Sequence, residues 1–203
     1  MHDENSIFTN FKVHTQYSIC EGAIKIEDLA EYCKKNKIKA LGISDSFNLC
    51  GALEFSEAIS KAGTQPIIGT QINFKYGDTI GKLPIFAKSE KGYNNLVKLS
   101  SKSFLETNES SIPTCSLNDL HENNKDLIVL SGGIDSLFYN LVKKNKLKDL
   151  HTVASILKNN FFDSFYLEIQ RHNDLGEAQL ENIFLNLHQT LTLFILPFNM
   201  LKV

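Results

Sequence analysis

Residues 40–69 read ALGISDSFNLCGALEFSEAISKAGTQPIIG, and this stretch decides the fold. Ala40 to Ser44 is a short apolar run bounded by turn formers, the pattern of a buried strand. Ala52, Phe55, Ile59 and Ala62 then recur at helical spacing on one face. Gly63 stops that helix, and Pro66-Ile-Ile-Gly69 opens a second strand. A helix that carries the chain from one strand to the next predicts a parallel sheet with its helices outside.

Outward from that unit the rhythm continues in both directions. Upstream, Phe8 to Val13 is a β-prone run, and Leu29, Tyr32 and Cys33 mark a helix whose C-terminal end carries Lys34, Lys35 and Lys37, where the helix dipole favours cations. Downstream, Leu83 to Ala87 reads as a strand and Tyr93, Leu96, Val97 and Ser100 as a helical face. Phe104 to Asp119 has no period and many turn formers, so it is expected to be a loop and the one internal hinge. Asp126 to Leu130 is the next strand, followed by helices over Ser136 to Lys144 and Leu150 to Leu157. Phe165 to Ile169 is a further strand, and Leu180, Ile183, Phe184 and Leu187 stripe a last helix. The fold class is α/β, a parallel sheet or barrel whose working groups sit at the C-terminal ends of the strands.

The chain has 203 residues, a formal net charge of -2 and 42% hydrophobic content, which fits a soluble protein of one domain or two. No apolar run reaches the roughly 18 residues needed to cross a bilayer, and the polar, acidic start is unlike an export signal, so a cytoplasmic location is expected. Four dispersed cysteines without a C-x-x-C pair signal neither a zinc finger nor a disulfide framework; they are expected to be buried small hydrophobes. Arg171 is the single arginine, and the lysines are scattered among 23 acidic residues. That dispersal argues against a nucleic-acid-reading face, so direct binding to DNA is expected to be weak.

Three residues at strand ends could carry chemistry: His14 after F-K-V, then Glu21, and Asp45 after A-L-G-I-S. Imidazole and carboxylate are donors for zinc or manganese. A hydrogen-bonded structural histidine and an aspartate serving as turn or helix cap account for the same residues equally well. A second pattern, Ser131-Gly132-Gly133-Ile134-Asp135-Ser136, is similar to the S-G-G-x-D-S loop of N-type ATP pyrophosphatases, in which backbone N–H groups cradle pyrophosphate. It also reads as a plain strand-to-helix turn.

Several motifs follow one another in order: F-K-V-H-T-Q-Y-S-I-C-E-G-A-I-K-I-E-D-L, A-L-G-I-S-D-S-F-N-L-C-G-A-L-E-F and A-G-T-Q-P-I-I-G-T-Q-I-N-F, then G-Y-N-N-L-V-K-L-S, L-I-V-L-S-G-G and F-Y-L-E-I-Q-R-H. In this order they resemble the N-terminal polymerase-and-histidinol-phosphatase (PHP) domain of the bacterial DNA polymerase III alpha subunit, over residues 6 to 188. The resemblance implies a distorted PHP-type β/α barrel with outer helices, incomplete at its C-terminus. In metal-binding members, histidines and carboxylates at the strand ends hold up to three metal ions for phosphoester hydrolysis.

Here that set is broken. The opening His-x-His is Lys12-Val-His14, the Asp-Gly pair is Glu21-Gly22, and the Asp-His pair is Asp45-Ser46. Gln71 stands where a glutamate follows the P-I-I-G strand, and Gly133 where active members often carry Cys or His. His172 is retained in Q-R-H, and the closing Asp-x-His has no counterpart. His14, Glu21, Asp45 and His172 are thus the remnant metal candidates, with low occupancy by zinc or manganese expected and no cofactor required. Lys12 is expected to pair with Glu21 and stabilise the former site directly.

The implied function is that of a catalytically degenerate scaffold or docking module in DNA replication, without the polymerase palm. Its expected partners are the polymerase III core and the proofreading exonuclease subunit. The alternatives are a residual metal-dependent phosphoesterase or 3'-5' exonuclease-like activity, and the pyrophosphatase-type nucleotide binder. Residues 1–190 are expected to form the domain and 191–203 an off-family tail, such as a truncated or split gene or else a natural short paralogue with a genuine terminal strand would have, with Leu191 to Leu196 able to pair as a strand and Pro197, Phe198, Met200 and Leu201 exposed beyond it.

Overall fold

The first strand, β1 (Ala40–Ser46), runs parallel to β2 (Gln65–Tyr76), with Ala40 opposite Gln65 and Ser46 opposite Gln71. Between them α2 (Ala52–Lys61) makes the crossover read from the sequence, and Gly63 leaves it at φ +82°. The computed structural model describes residues 9–107 and 112–198. Upstream, α1 (Ile26–Asn36) ends with Lys37 in the left-handed region and buries Ile26, Leu29 and Cys33.

The expectation of an all-parallel sheet is corrected after β2. That strand is twelve residues long, turns at Gly77-Asp78 and pairs antiparallel with β3 (Thr79–Ala87). A two-residue turn with glycine at φ +59° matches the right-handed twist of a hairpin, so the chain reverses instead of crossing over. β3 is also antiparallel to β5 (Leu127–Leu130). Parallel pairing returns at β6 (Phe165–Gln170) and β7 (Phe194–Phe198), giving the order β1-β2-β3-β5-β6-β7.

The segment expected as loop and hinge is regular only at its two ends, with 106–107 and 112–114 irregular between them. α3 (Glu90–Leu105) takes in Phe104, β4 (Cys115–Ser116) pairs with β2, and α4 (Leu117–Glu122) follows. Ser116 and Asp119 form a reciprocal capping box, which supplies the N–H partners that start a helix among turn formers. Residues 108–111 lie outside the described ones. The remaining helices, α5 (Leu137–Lys143), α6 (Leu147–Phe161) and α7 (Leu175–Leu191), cover β3, β5 and β6.

Two apolar cores result. A small one joins Val13 and β1 to α1 and α2, and a larger one fills the space between β2, β3, β5, β6 and helices α3 to α7. Cys33 and Cys115 are buried in them, and burial raises the Cys115 thiol to about 12. Cys20 and Cys50 are exposed, which corrects the expectation that all four are core residues.

The strand expected over Phe8 to Val13 is not regular. Phe8 lies outside the described residues, and the part that follows is held to β1 by one bridge, Val13 to Ile43, with Gly42 N–H donating to Asn10 O at 2.7 Å and Ser44 N–H to Val13 O at 2.9 Å. Gly42 permits this approach, because a Cβ there would meet Phe11 O at 2.3 Å. Counted through the sheet, this segment is five strand steps from β6, roughly 24 Å if the sheet were flat. Yet Lys12 Nζ reaches Glu168 Oε1 on β6 at 3.2 Å. The sheet therefore curls into an open barrel whose two ends face each other across a polar interior.

β7 forms the outer edge of the described sheet, and its pairing runs through Pro197 and Phe198 instead of stopping at Leu196; Met200 and Leu201 lie outside the described residues. Ser131 N–H donates to Tyr166 O, so alternate residues Leu167 and Ile169 face β7. In this register Phe194, Leu196 and Phe198 point their backbone groups at β6, and Ile195 and Pro197 point theirs outward.

Candidate functional site

The C-terminal end of β1, the middle of β2 at Gln71, Lys82 of β3, the turn after Val13 and the facing strand β6 supply the polar interior. Asp45, next to last in β1 and buried, is neither a turn nor a helix cap. Its Oδ1 accepts from Thr15 N–H at 2.6 Å and from Ser18 Oγ–H at 2.6 Å, and its Oδ2 accepts from Thr15 Oγ1–H at 2.7 Å. Asp45 is thus a clamp that ties residues 15–18 to β1.

His14 continues the same network. Gln71 Nε2 donates to His14 Nε2 at 2.7 Å, and the other ring nitrogen, Nδ1, lies 3.2 Å from Ser18 Oγ. The directions agree along the chain: Gln71 gives to the imidazole, the imidazole to Ser18 and Ser18 to Asp45. Burial holds the His14 pKa below 6.5, Lys12 adds to this, and Glu21 and Asp45 oppose it. The lone pair with which His14 would bind a metal is therefore spent on a carboxamide.

Lys12 and Glu21 are not partners, a correction to the pairing expected from sequence. Lys12 pairs with Glu168, whose side chain is fully buried, and Gln170 Nε2 donates to the same Glu168 oxygen. Glu21 instead accepts from Lys82 Nζ at 2.7 Å and from Ser46 Oγ–H at 2.5 Å, and it lies 3.7 Å from His14 Nδ1. Burial raises the Glu21 pKa, but the bonds from Lys82 and Ser46 outweigh it, so the carboxyl titrates below its usual range. Lys82 also reaches Asp135 at 3.3 Å and lies over the Phe47 ring at 5.3 Å.

His172 stands apart from this group. It follows β6, and Glu177 in the first turn of α7 accepts from both its backbone N–H at 2.6 Å and its Nδ1 at 2.7 Å. Of the four remnant candidates only His14 and Glu21 approach each other, and among the described residues no three His, Cys, Asp or Glu side chains are grouped to hold a metal. The donor set does not fit the metals that the family resemblance implies: one ligand position is an ammonium already paired, another an amide that occupies the remaining imidazole. Gln71 Oε1 and Glu168 Oε2 are buried without a hydrogen-bond partner among the described atoms.

The polar side chains of the S-G-G-I-D-S turn are engaged internally. Ser131 Oγ accepts from Glu168 N–H at 2.9 Å, Ser136 Oγ accepts from Tyr139 N–H at 3.1 Å as the cap of α5, and Asp135 pairs with Lys82. Gly132 sits at φ +76°, and a Cβ on Gly133 would meet Gln170 Oε1 at 2.0 Å. These are the demands of a tight turn packed on β6, which is the plain reading of the motif.

Glu168 and Lys82, which organise the interior, were not singled out in the sequence. The signal was present: each is a charged residue inside an apolar strand, F-Y-L-E-I-Q and I-G-K-L-P-I, where an unpaired charge is costly.

Comparison with known proteins was consistent with this geometry. The PHP domain matches residues 10–172. The chain is 34% identical over 186 residues to the DNA polymerase III subunit alpha of Caulobacter vibrioides and 36% identical over 178 residues to that of Borreliella burgdorferi. These alignments take in 88% and 82% of the chain but 16% and 15% of those much longer proteins. Among solved structures, a Bifidobacterium adolescentis protein titled as a metal-dependent phosphoesterase superposes with a TM-score of 0.58 at 13% identity, covering 94% of this chain and 86% of that one, which shows a common fold. No helix among the described residues is long and apolar enough to cross a membrane.

Proposed function

Because the chain belongs to the PHP domain family, with the N-terminal region of DNA polymerase III alpha as its matched relative, we propose that it serves as the metal-independent structural barrel of a replicative polymerase assembly. In this reading it holds and docks partner polypeptides, the polymerase core and the proofreading exonuclease, and leaves DNA synthesis to another part of that assembly. A cytoplasmic location goes with that role.

The observation that carries the reading is the Lys12–Glu168 pair, an ammonium and a buried carboxylate joined where the family opens its ligand set. A metal-dependent phosphoesterase uses its metal to lower the pKa of water or to neutralise phosphate. Here the positive charge of the interior is supplied by two lysines whose carboxylate partners are already in place, so the arrangement supports architecture and not hydrolysis.

The test is co-expression with a polymerase III alpha polypeptide lacking its own matching region, together with metal analysis of the purified chain. A stable complex and substoichiometric metal are expected. Stoichiometric zinc or manganese that survives dialysis and is lost in His14→Ala, or the absence of a complex, would overturn the proposal.

A further inference from the structure

We propose that the cleft at the C-terminal end of β1, lined by Ile19, Phe47 and Phe104 and edged by Glu21, docks a partner polypeptide segment that presents a large apolar side chain beside a lysine or arginine. The proposal rests on the docking role above and names its surface and the chemistry of its partner.

Three observations carry it. The first is that two of the exposed large hydrophobics border one concavity. Ile19 is 84% and Phe104 51% exposed although both are large hydrophobics, and with Phe47 they line a space of about 200 Å³. A cavity of about 150 Å³ holds a benzene-sized group, so this cleft accepts one bulky apolar side chain. Isolated exposed hydrophobics are ordinary; several around one concavity mark an interaction site.

The second is preorganisation. Phe47 sits at φ +64°, an unfavourable conformation for a bulky residue, and is held there by its N–H donating to Gln71 O at 2.8 Å. Strain of this kind persists only where surrounding structure imposes it. The opposite wall, residues 15–22, is pinned through Asp45 and by the N–H groups of Glu21 and Gly22, which donate to Ser18 O at 3.0 and 2.9 Å. A cleft already fixed in shape spends little of its binding energy on ordering.

The third is charge. Glu21, part of the cleft, and Asp135, half-exposed, share the single ammonium of Lys82. Two carboxylates on one lysine leave a net negative charge beside the apolar floor. The complement is an apolar side chain with a basic neighbour, which the rim selects over an acidic segment.

The probe is a short synthetic peptide with a Leu-Leu centre flanked by lysines, and its counterpart carries glutamates in their place. Binding is followed by backbone amide shifts in NMR. The lysine peptide is expected to shift residues around Ile19, Phe47 and Phe104 saturably, and the glutamate peptide to bind about tenfold or more weakly. Ile19→Ser and Phe104→Ser, at exposed positions that do not hold the fold, should each weaken the lysine peptide while leaving the unfolding temperature unchanged.

Equal affinity for both peptides, shifts mapping elsewhere, or serine variants that bind as well as the parent would overturn the proposal. So would self-association abolished by Ile19→Ser, which would make the occupant a second copy of this chain. A polymerase complex that forms while the peptide fails to bind defeats this inference alone, and peptide binding without any complex defeats the broader reading alone.

Discussion

Lys12 and Glu168, 156 positions apart, meet at 3.2 Å across the interior, and they join the segment leading into the site to the sixth strand of the sheet. The pair spans the opening of the curled sheet, with side chains only 9% and 0% exposed, and the buried Glu168 carboxylate draws on Lys12 and Gln170 in place of water.

Removing Lys12 leaves the buried Glu168 carboxylate without its cation. Lys12→Met is expected to lower unfolding free energy by about 3–5 kcal/mol, the usual cost of leaving a buried charge unpaired. The double variant Lys12→Met with Glu168→Met should recover most of that loss, because it removes both desolvated charges. Urea denaturation of the three proteins checks this, and a double variant no better than Lys12→Met would show that the pair is not the coupled unit.

Asp45 accepts three hydrogen bonds while buried, each from a donor in the turn after Val13. Replacing it with alanine orphans Thr15 N–H and two hydroxyls, and about 3 kcal/mol or more of stability should be lost. Hydrogen exchange at residues 15–18 should rise ahead of exchange in α6, since the clamp acts locally.

Acid should destabilise the protein through His14 and Glu21. The folded His14 pKa lies below its ordinary 6.5, so the unfolded chain binds protons first as pH falls. Stability is fully present above pH 6.5 and declines as pH drops below it toward the folded value. Glu21, also depressed, adds a loss of the same sign at lower pH, below the ordinary carboxylate value of 4.5. Thermal melts across this range are the measurement. Gln71→Glu, which places a carboxylate against the ring, should raise the His14 pKa and flatten the decline near neutrality.

Gly42 is where the incoming segment comes closest over β1. A Cβ at this residue would meet Phe11 backbone atoms at 2.3 to 2.8 Å, and backbone cannot give way as a flexible side chain does. Gly42→Ala should cost about 1–3 kcal/mol by displacing residues 10–13. Limited proteolysis should then cut first near Lys12, whose neighbours are no longer held on β1.

Much of the fold was legible because hydrophobic period and glycine stops coincide in residues 40–69, so β1, α2 and the start of β2 agree with their sequence signals. The reversal at Gly77-Asp78 escaped notice although a glycine–aspartate pair between alternating residues is a hairpin signal. So did α4, whose Ser116–Asp119 box lies within a run of turn formers. In the site, Lys12 and Gln71 were legible from the motifs as departures from the family's pattern. Their partners were not, since Lys12 finds Glu168 only after the sheet has curled, and no spacing within one motif encodes that meeting. Lys82 entered by the hairpin that the reading had missed.

The outward side of β7 bears on the behaviour of concentrated protein. Pro197 has no N–H to offer, so within the paired residues 194–197 Ile195 supplies the one outward donor. A foreign strand laid against that margin would find a single donor where a ladder uses several. The imino acid therefore acts as a gatekeeper, and copies of this chain are protected from lengthening one another's sheet into fibres despite the apolar sequence there.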